Sequence, residues 1–561
     1  MAEDALESKK GKKRKQDLVY TSNLDDAKRN FVHVEKYLRK WEIESPGGLS
    51  VPEFVMMNEV KASDSPNIIY PVGDPIFIHV YKISQTMMMY HVIEPEMDNK
   101  MSDLYEVVLT KLIEIAHTLP VPDRLVDIKD VLLKLLDEVV EVEGETQSGN
   151  FVSEMFSSKI KLDRITYEFI KYFLIRNRLG YGVLEPLLRD SNLEDIHCTG
   201  VGAVHTVHKK FGPVETSIIF KDDINVNKYM IDAAERAERP ISEAHPVVDA
   251  IMPDGSRVNF IYGREVSLEG SSFTIRKFSD VPVSITQIIN WGTMSSEMCA
   301  YLWLCLEHGM NLFMCGETAS GKTTSLNAMC VFIKPNSKIY SVENTPEVTM
   351  PHDTWQHLVT REQGKTSDVT YFDLLIAALR SRPNYIIVGE IRGEEGRIAF
   401  QAMQTGHPVL STFHAGSVRS MIQRLTGPPI NVPAPSIDNL NIVVIQQAVD
   451  INGRSSRRVT SLTELERYYD VTKKIITRQV FLWDPRKDRH VFRGLLNSYI
   501  LEEKIAKMLG MSDKRDIYTE LDLRRRILDR MVQEEIFNYF DVWEVIKRFH
   551  EGGVGALPFT I

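Results

Sequence analysis

The octapeptide GETASGKT at residues 316–323 narrows the folds open to this chain more than any other stretch. It matches the pattern G-x-x-x-x-G-K-[ST], follows the strand-like run NLFMC and opens the helix-like run KTTSLNAMCVFI. Such a loop works where a strand hands over to a helix whose N-terminus faces the ligand. There the backbone N–H groups and the positive helix end suit a polyphosphate. Gly316, Glu317, Thr318, Ala319, Ser320, Gly321, Lys322, Thr323 and Thr324 are therefore the expected nucleotide-binding residues. Lys322 is expected at the β- and γ-phosphates, and the Thr323 hydroxyl in the shell of a Mg2+ ion. ATP and Mg2+ are the expected ligands.

The flanking pattern agrees. Beyond residue 300, strand signals (NLFMC, KIYSVE, YIIVGE, VLSTFH, NIVVIQQAV) alternate with helix signals (KTTSLNAMCVFI, YFDLLIAALR, GRIAFQAMQ, VRSMIQRL). Alternation of this kind predicts an α/β fold with a mainly parallel sheet and ligands at the carboxyl ends of its strands. Five regions are expected: a basic disordered tail (1–20), an N-terminal helical domain with a β-hairpin (21–160), and an α+β domain (161–280). A nucleotide-binding domain (281–465) and a helical C-terminal subdomain (466–561) follow. The hairpin is PIFIHVYKIS with MMMYHVIEPEM, and Met87 to Met89 read as core filling.

Composition bears on partners. The net charge of −10 argues against a body built to coat nucleic acid, although SKKGKKRKQ at 8–16 is a local basic run. Five cysteines without C-x-x-C spacing disfavour both a disulfide framework and a four-cysteine zinc site, and fit a reducing cytoplasm. No apolar run approaches membrane-spanning length, so membrane association is expected to go through a partner.

Hydrolysis needs an acid that orients water against the γ-phosphate. Glu343 ends the strand-like KIYSVE run, with Glu347 four residues later. The run PNYIIVGEIRG (383–393) ends on Gly389 and Glu390, with glycine where such strands often carry aspartate. His407 and His414 bracket VLSTF and read as hydrogen-bonding or γ-phosphate-sensing groups. Arg257 and Arg276 lie on strand-like segments with no local partner.

Taken in order, GETASGKT, VENTPE, LRSRPNYIIVGEIRGEE, TGHPVLSTFHA and IQRLTGPPINVP resemble the Walker A, Asp box, Walker B and His box of the type II/IV secretion ATPase superfamily. The stretches LLRDSNLEDIHCTGVGAVHTVHKKFG and VVDAIMPDGSRVNF resemble its PAS-like N-terminal domain. The likeness is strong over about 165–465, and the remainder is similar to the archaeal branch that includes archaellum motors. The resemblance implies a RecA-like ATPase domain and a homohexameric ring. It also implies a cytoplasmic protein held at the membrane by a polytopic platform protein that handles pilin-like subunits. Lys322, Glu343 and Glu390 are then the expected catalytic residues, and Thr323 and Glu390 the metal ligands. His407, His414, Arg257 and Arg276 are expected to serve the nucleotide. Asn344 and Asn384 depart from aspartates usual in the family. Two other readings compete: a RecA-like nucleic-acid translocase, and a nucleotide-gated scaffold without turnover.

Overall fold

The structure, a computed structural model, describes residues 20–57, 60, 66–84, 87–118, 125–143, 159–277, 281–361, 368–451 and 454–561. The basic run at 8–16 lies outside them. The chain divides after Phe278 into two compact units.

In the first unit, β1 (Glu53–Phe54), β2 (Asn67–Pro71), β3 (Phe77–Lys82) and β4 (Met88–Ile93) precede a short parallel pair, β5 (Val140–Val142) and β6 (Ile160–Leu162). Then come β7 (Leu193–Cys198), β8 (Gly202–His208), β9 (Gly212–Phe220), β10 (Val247–Ile251), β11 (Arg257–Ile261) and β12 (Ser272–Arg276). The expected hairpin is present as antiparallel β3 and β4. The expected boundary near residue 160 is not. β4 pairs in parallel with β9, so among the described residues a single sheet runs β1-β2-β3-β4-β9-β8-β7-β12-β11-β10 through both regions. Local periodicity marks strands but carries no record of which distant strand they join.

The second unit holds β13 (Leu312–Gly316), β14 (Ile339–Glu343), β15 (Trp355–Val359), β16 (Tyr385–Ile391), β17 (Val409–Phe413) and β18 (Ile442–Ile451). β19 (Arg454–Tyr469), β20 (Lys474–Asp484) and β21 (Arg489–Phe492) complete its sheet, ordered β15-β14-β16-β17-β13-β18-β19-β20-β21. From β15 to β18 all neighbours are parallel; from β18 onward they are antiparallel. The expected all-helical region from 466 therefore starts late. Strands continue to Phe492, because β20 and β21, with VFLW and VF among their residues, pair antiparallel at the end of the sheet. The long helices Ile517–Gln533 and Tyr539–Gly552 come only afterwards.

Side chains alternate across this sheet, as strand geometry requires. Phe313, Cys315, Val342, Ile386 and Val388 pack on one face with Phe400, Met403 and Leu425. Leu312, Met314, Ile339 and Ile387 pack on the other with Trp303, Leu326 and Met329. All five cysteines are buried and free.

Candidate nucleotide site

Because β13, β14, β16, β17 and β18 run parallel, Gly316, Glu343, Glu390, His414 and Gln446 gather at one edge of the sheet. The loop between β13 and the helix Lys322–Met329 turns tightly there. A Cβ on Gly316 would lie 2.2 Å from the Gln446 carbonyl oxygen and 2.5 Å from Ser320 Oγ, so only glycine fits. Gly321, the residue before the helix, has φ of 86°, in the left-handed region. Side chains cap the helices that begin after Ser295, Thr370 and Ser417, but none caps this one. Its first N–H groups are left for a ligand.

Inside the loop, Ser320 Oγ and Lys322 Nζ each donate to the Glu317 carbonyl at 2.8 Å. Lys322 is 8% exposed, and burial lowers its pKa against the opposing charges of Glu390 and Glu347. Two supports were missed in the sequence. Gln446 Nε2 donates to the Ser320 carbonyl at 2.7 Å, and Arg457 Nε donates to the Ala319 carbonyl at 3.2 Å. Gln446 had only a weak signal, as the polar residue that ends the apolar run IVVI within β18. Arg457 had none.

The acids divide into two kinds. Glu343 is 1% exposed and fully engaged. Its Oε1 accepts from the backbone N–H groups of Glu347 and Val348, each at 3.0 Å, and its Oε2 lies 2.7 Å from His357 Nε2. Buried and bound this way, the carboxylate holds a turn and is shielded from the water it would have to orient. This weighs against the expectation that Glu343 is the catalytic acid. Glu347 is half-buried, and its charge acts on both Lys322 and Arg392. Gly389 now has a reason. A Cβ there would lie 2.9 Å from Glu343 Cγ, so glycine lets β16 bulge past the buried acid and bring Glu390 to the site.

Glu390 Oε2 accepts from Arg392 at 2.5 Å. Its Oε1 is buried with no hydrogen bond, since His414 Nε2 stands 2.8 Å away without hydrogen-bond alignment. Burial and the Lys322 charge push the His414 imidazole below its usual range, so it is neutral at pH 7.

Other expected residues fall elsewhere. His407 precedes β17, at the far end of the strand from His414, and hydrogen-bonds Thr405 Oγ1 at 3.1 Å. It is not part of the cluster. Asn384 also lies at that far end, where its N–H donates to the Lys338 carbonyl and its Oδ1 accepts from the Lys338 N–H, each at 2.8 Å. Asn344 is exposed, and its Oδ1 accepts from Thr360 Oγ1 at 2.6 Å. In the first unit, Arg257 and Arg276 are direct cross-strand neighbours on β11 and β12, and Arg276 Nε lies 3.3 Å from Asp195 Oδ1.

Among the described residues no group of three or more His, Cys, Asp or Glu side chains forms a ready-made metal site. The set at the loop suits a cation that keeps waters and arrives with phosphates, as Mg2+ does. Thr323 opens the helix half-buried, and the bare Oε1 of Glu390 is an acceptor without a donor. The residues present fit the ion.

Residues 178–485 match the family described as Type II/IV secretion system protein. An uncharacterized protein of Methanocaldococcus jannaschii is 51% identical over 551 residues, covering 97% of this chain and 100% of that one. The type IV secretion system protein PtlH of Bordetella pertussis is 30% identical over 217 residues, 34% of this chain and 64% of its own. Among solved structures, the ATPase DotB of Legionella pneumophila aligns over 74% of this chain and 96% of its own, with TM-score 0.38 and 15% identity. The family match takes in both the glycine-rich loop and the strands that carry Glu343, Glu390 and His414, and the chain belongs to the type II/IV secretion system protein family.

Proposed function

We propose that the protein is an ATPase motor that works as a homohexamer and drives assembly or secretion of pilin-like subunits through a polytopic membrane platform protein. The observation that carries this reading is the convergence at one sheet edge of an uncapped helix N-terminus, Lys322, and two carboxylates with free acceptor capacity, Glu347 and Glu390. Family membership supports the secretion context.

In this reading the loop amides and Lys322 hold the β- and γ-phosphates and take up charge as the bond to the leaving phosphate breaks. Thr323 and Glu390 would hold Mg2+, which would supply further positive charge at the phosphates. Glu347 orients the attacking water. Neutral His414, beside Glu390, serves as a hydrogen-bonding neighbour of the γ-phosphate. Glu343 takes no part in the chemistry and fixes the turn that carries Glu347.

Phosphate release from ATP by purified protein, with and without Mg2+, tests the reading. Turnover that needs Mg2+ supports it, and binding without turnover favours the scaffold alternative. A putative conjugal transfer protein of Mycobacterium tuberculosis, 28% identical over 235 residues, favours a second reading as a DNA-transfer motor. Stimulation of turnover by DNA, weakening with salt, would select that one.

A further inference from the structure

Asparagine is a poor choice for a helix interior, because its amide competes with the backbone for hydrogen bonds. Asn327 nevertheless sits inside the helix Lys322–Met329, 8% exposed and four residues beyond Thr323, on the same helical face. Its amide is used twice. Nδ2 donates to the Glu347 carbonyl at 2.6 Å, and Oδ1 accepts from the Thr349 N–H at 3.0 Å. The segment 344–350 belongs to no strand or helix, so side chains set its path. Glu343 takes the Glu347 and Val348 N–H groups from the sheet side, and Asn327 takes the Glu347 carbonyl from the helix side. The fully buried Tyr539 stands behind this contact, its hydroxyl 3.1 Å from the Thr349 carbonyl.

We infer that Asn327 is a positioning residue for hydrolysis, clamping the turn that carries Glu347 onto the helix that begins with Lys322 and Thr323. The inference deepens the ATPase reading and rests on it. Both backbone groups of Glu347 are held by side chains from opposite sides, so its Cα is fixed relative to the phosphate loop. A displacement near 1 Å at such a position costs roughly 100-fold in rate.

Asn327→Ala in the full chain is expected to lower kcat about 10- to 100-fold, while the KM for ATP and the affinity for ADP stay within about twofold. Asn327→Asp preserves the shape and the acceptor for Thr349 but loses the donor to Glu347, and is expected to fall with it. Tyr539→Phe is expected to lose only a few-fold. Hydrogen exchange supplies a readout independent of activity. The amides of residues 347–349 are expected to exchange faster in Asn327→Ala, with the amides of 322–326 unchanged. Wild-type kcat in both Asn327 variants, equal losses in kcat and ADP affinity, or unaltered exchange at 347–349 would each overturn the clamp. If the wild-type protein releases no phosphate, the ATPase reading fails, while the exchange experiment still decides whether Asn327 holds the turn.

Discussion

Two glutamates four residues apart, Glu343 and Glu347, look interchangeable in the sequence, and burial separates them. Glu343 stands at the strand's end, which made it the natural candidate for the acid. Nothing in the sequence shows that Glu347 and Val348 fold back to occupy its oxygens. Glu347→Gln is expected to lower turnover roughly 100- to 10,000-fold with nucleotide affinity retained. Glu343→Gln is expected to act differently, lowering thermal stability as well as rate, because its second backbone acceptor bond weakens when the charge is removed. Parallel melting curves and steady-state rates distinguish the two. Gly389→Ala places a methyl group 2.9 Å from Glu343 Cγ. It is expected to cost about 1–3 kcal/mol of stability and to reduce turnover by shifting Glu390, both measurable on one preparation. The glycine-rich loop itself was fully legible, since its residue types are dictated by backbone geometry. Its braces, Gln446 and Arg457, were not, because they come from strands more than a hundred residues away.

At the scale of elements, periodicity read the parallel strands and their helices closely, and failed where long antiparallel strands replaced the expected helices after 466. The stretch YLWLCL became the centre of the helix Ser296–Glu307, buried on all sides. Trp303 stacks on Phe332 at 5.3 Å and meets Phe549 edge-on at 5.4 Å, joining this helix to the C-terminal one. Trp303→Ala is expected to destabilise by about 3–5 kcal/mol, read from denaturant unfolding. In the first unit, the helix Val32–Glu44 docks through histidines. His33 Nε2 donates to the Pro75 carbonyl at 2.8 Å, and His79 lies between Tyr37 and Asn67 at 2.7 and 2.8 Å. Burial lowers their pKa values to about 4 and about 3. Both ionise more readily in the unfolded chain, so between pH 6.5 and 4 the unfolded state binds more protons and stability falls as pH falls. Calorimetry at pH 7.5, 6 and 4.5 should show the melting temperature dropping through this window. His79→Gln should flatten the drop.

For the whole molecule, the chain divides into two compact units after Phe278, where one sheet gives way to the other. The boundary expected at 160 failed because β4 and β9 pair across it, a contact that no local pattern encodes. Among the described residues no helix is long and apolar enough to cross a membrane. A ring that acts on a membrane platform should assemble with nucleotide present. Sedimentation with a non-hydrolysable ATP analogue and Mg2+ is expected to show a six-fold mass that Lys322→Ala diminishes, and a monomer under all conditions would count against the ring. Whether ATP is hydrolysed at the glycine-rich loop is read from steady-state phosphate release by the wild-type chain beside Lys322→Ala. Mg2+-dependent release that Lys322→Ala lowers by ~100-fold or more is the predicted result. Equal release by both proteins, or none from the wild type at saturating ATP, would contradict it.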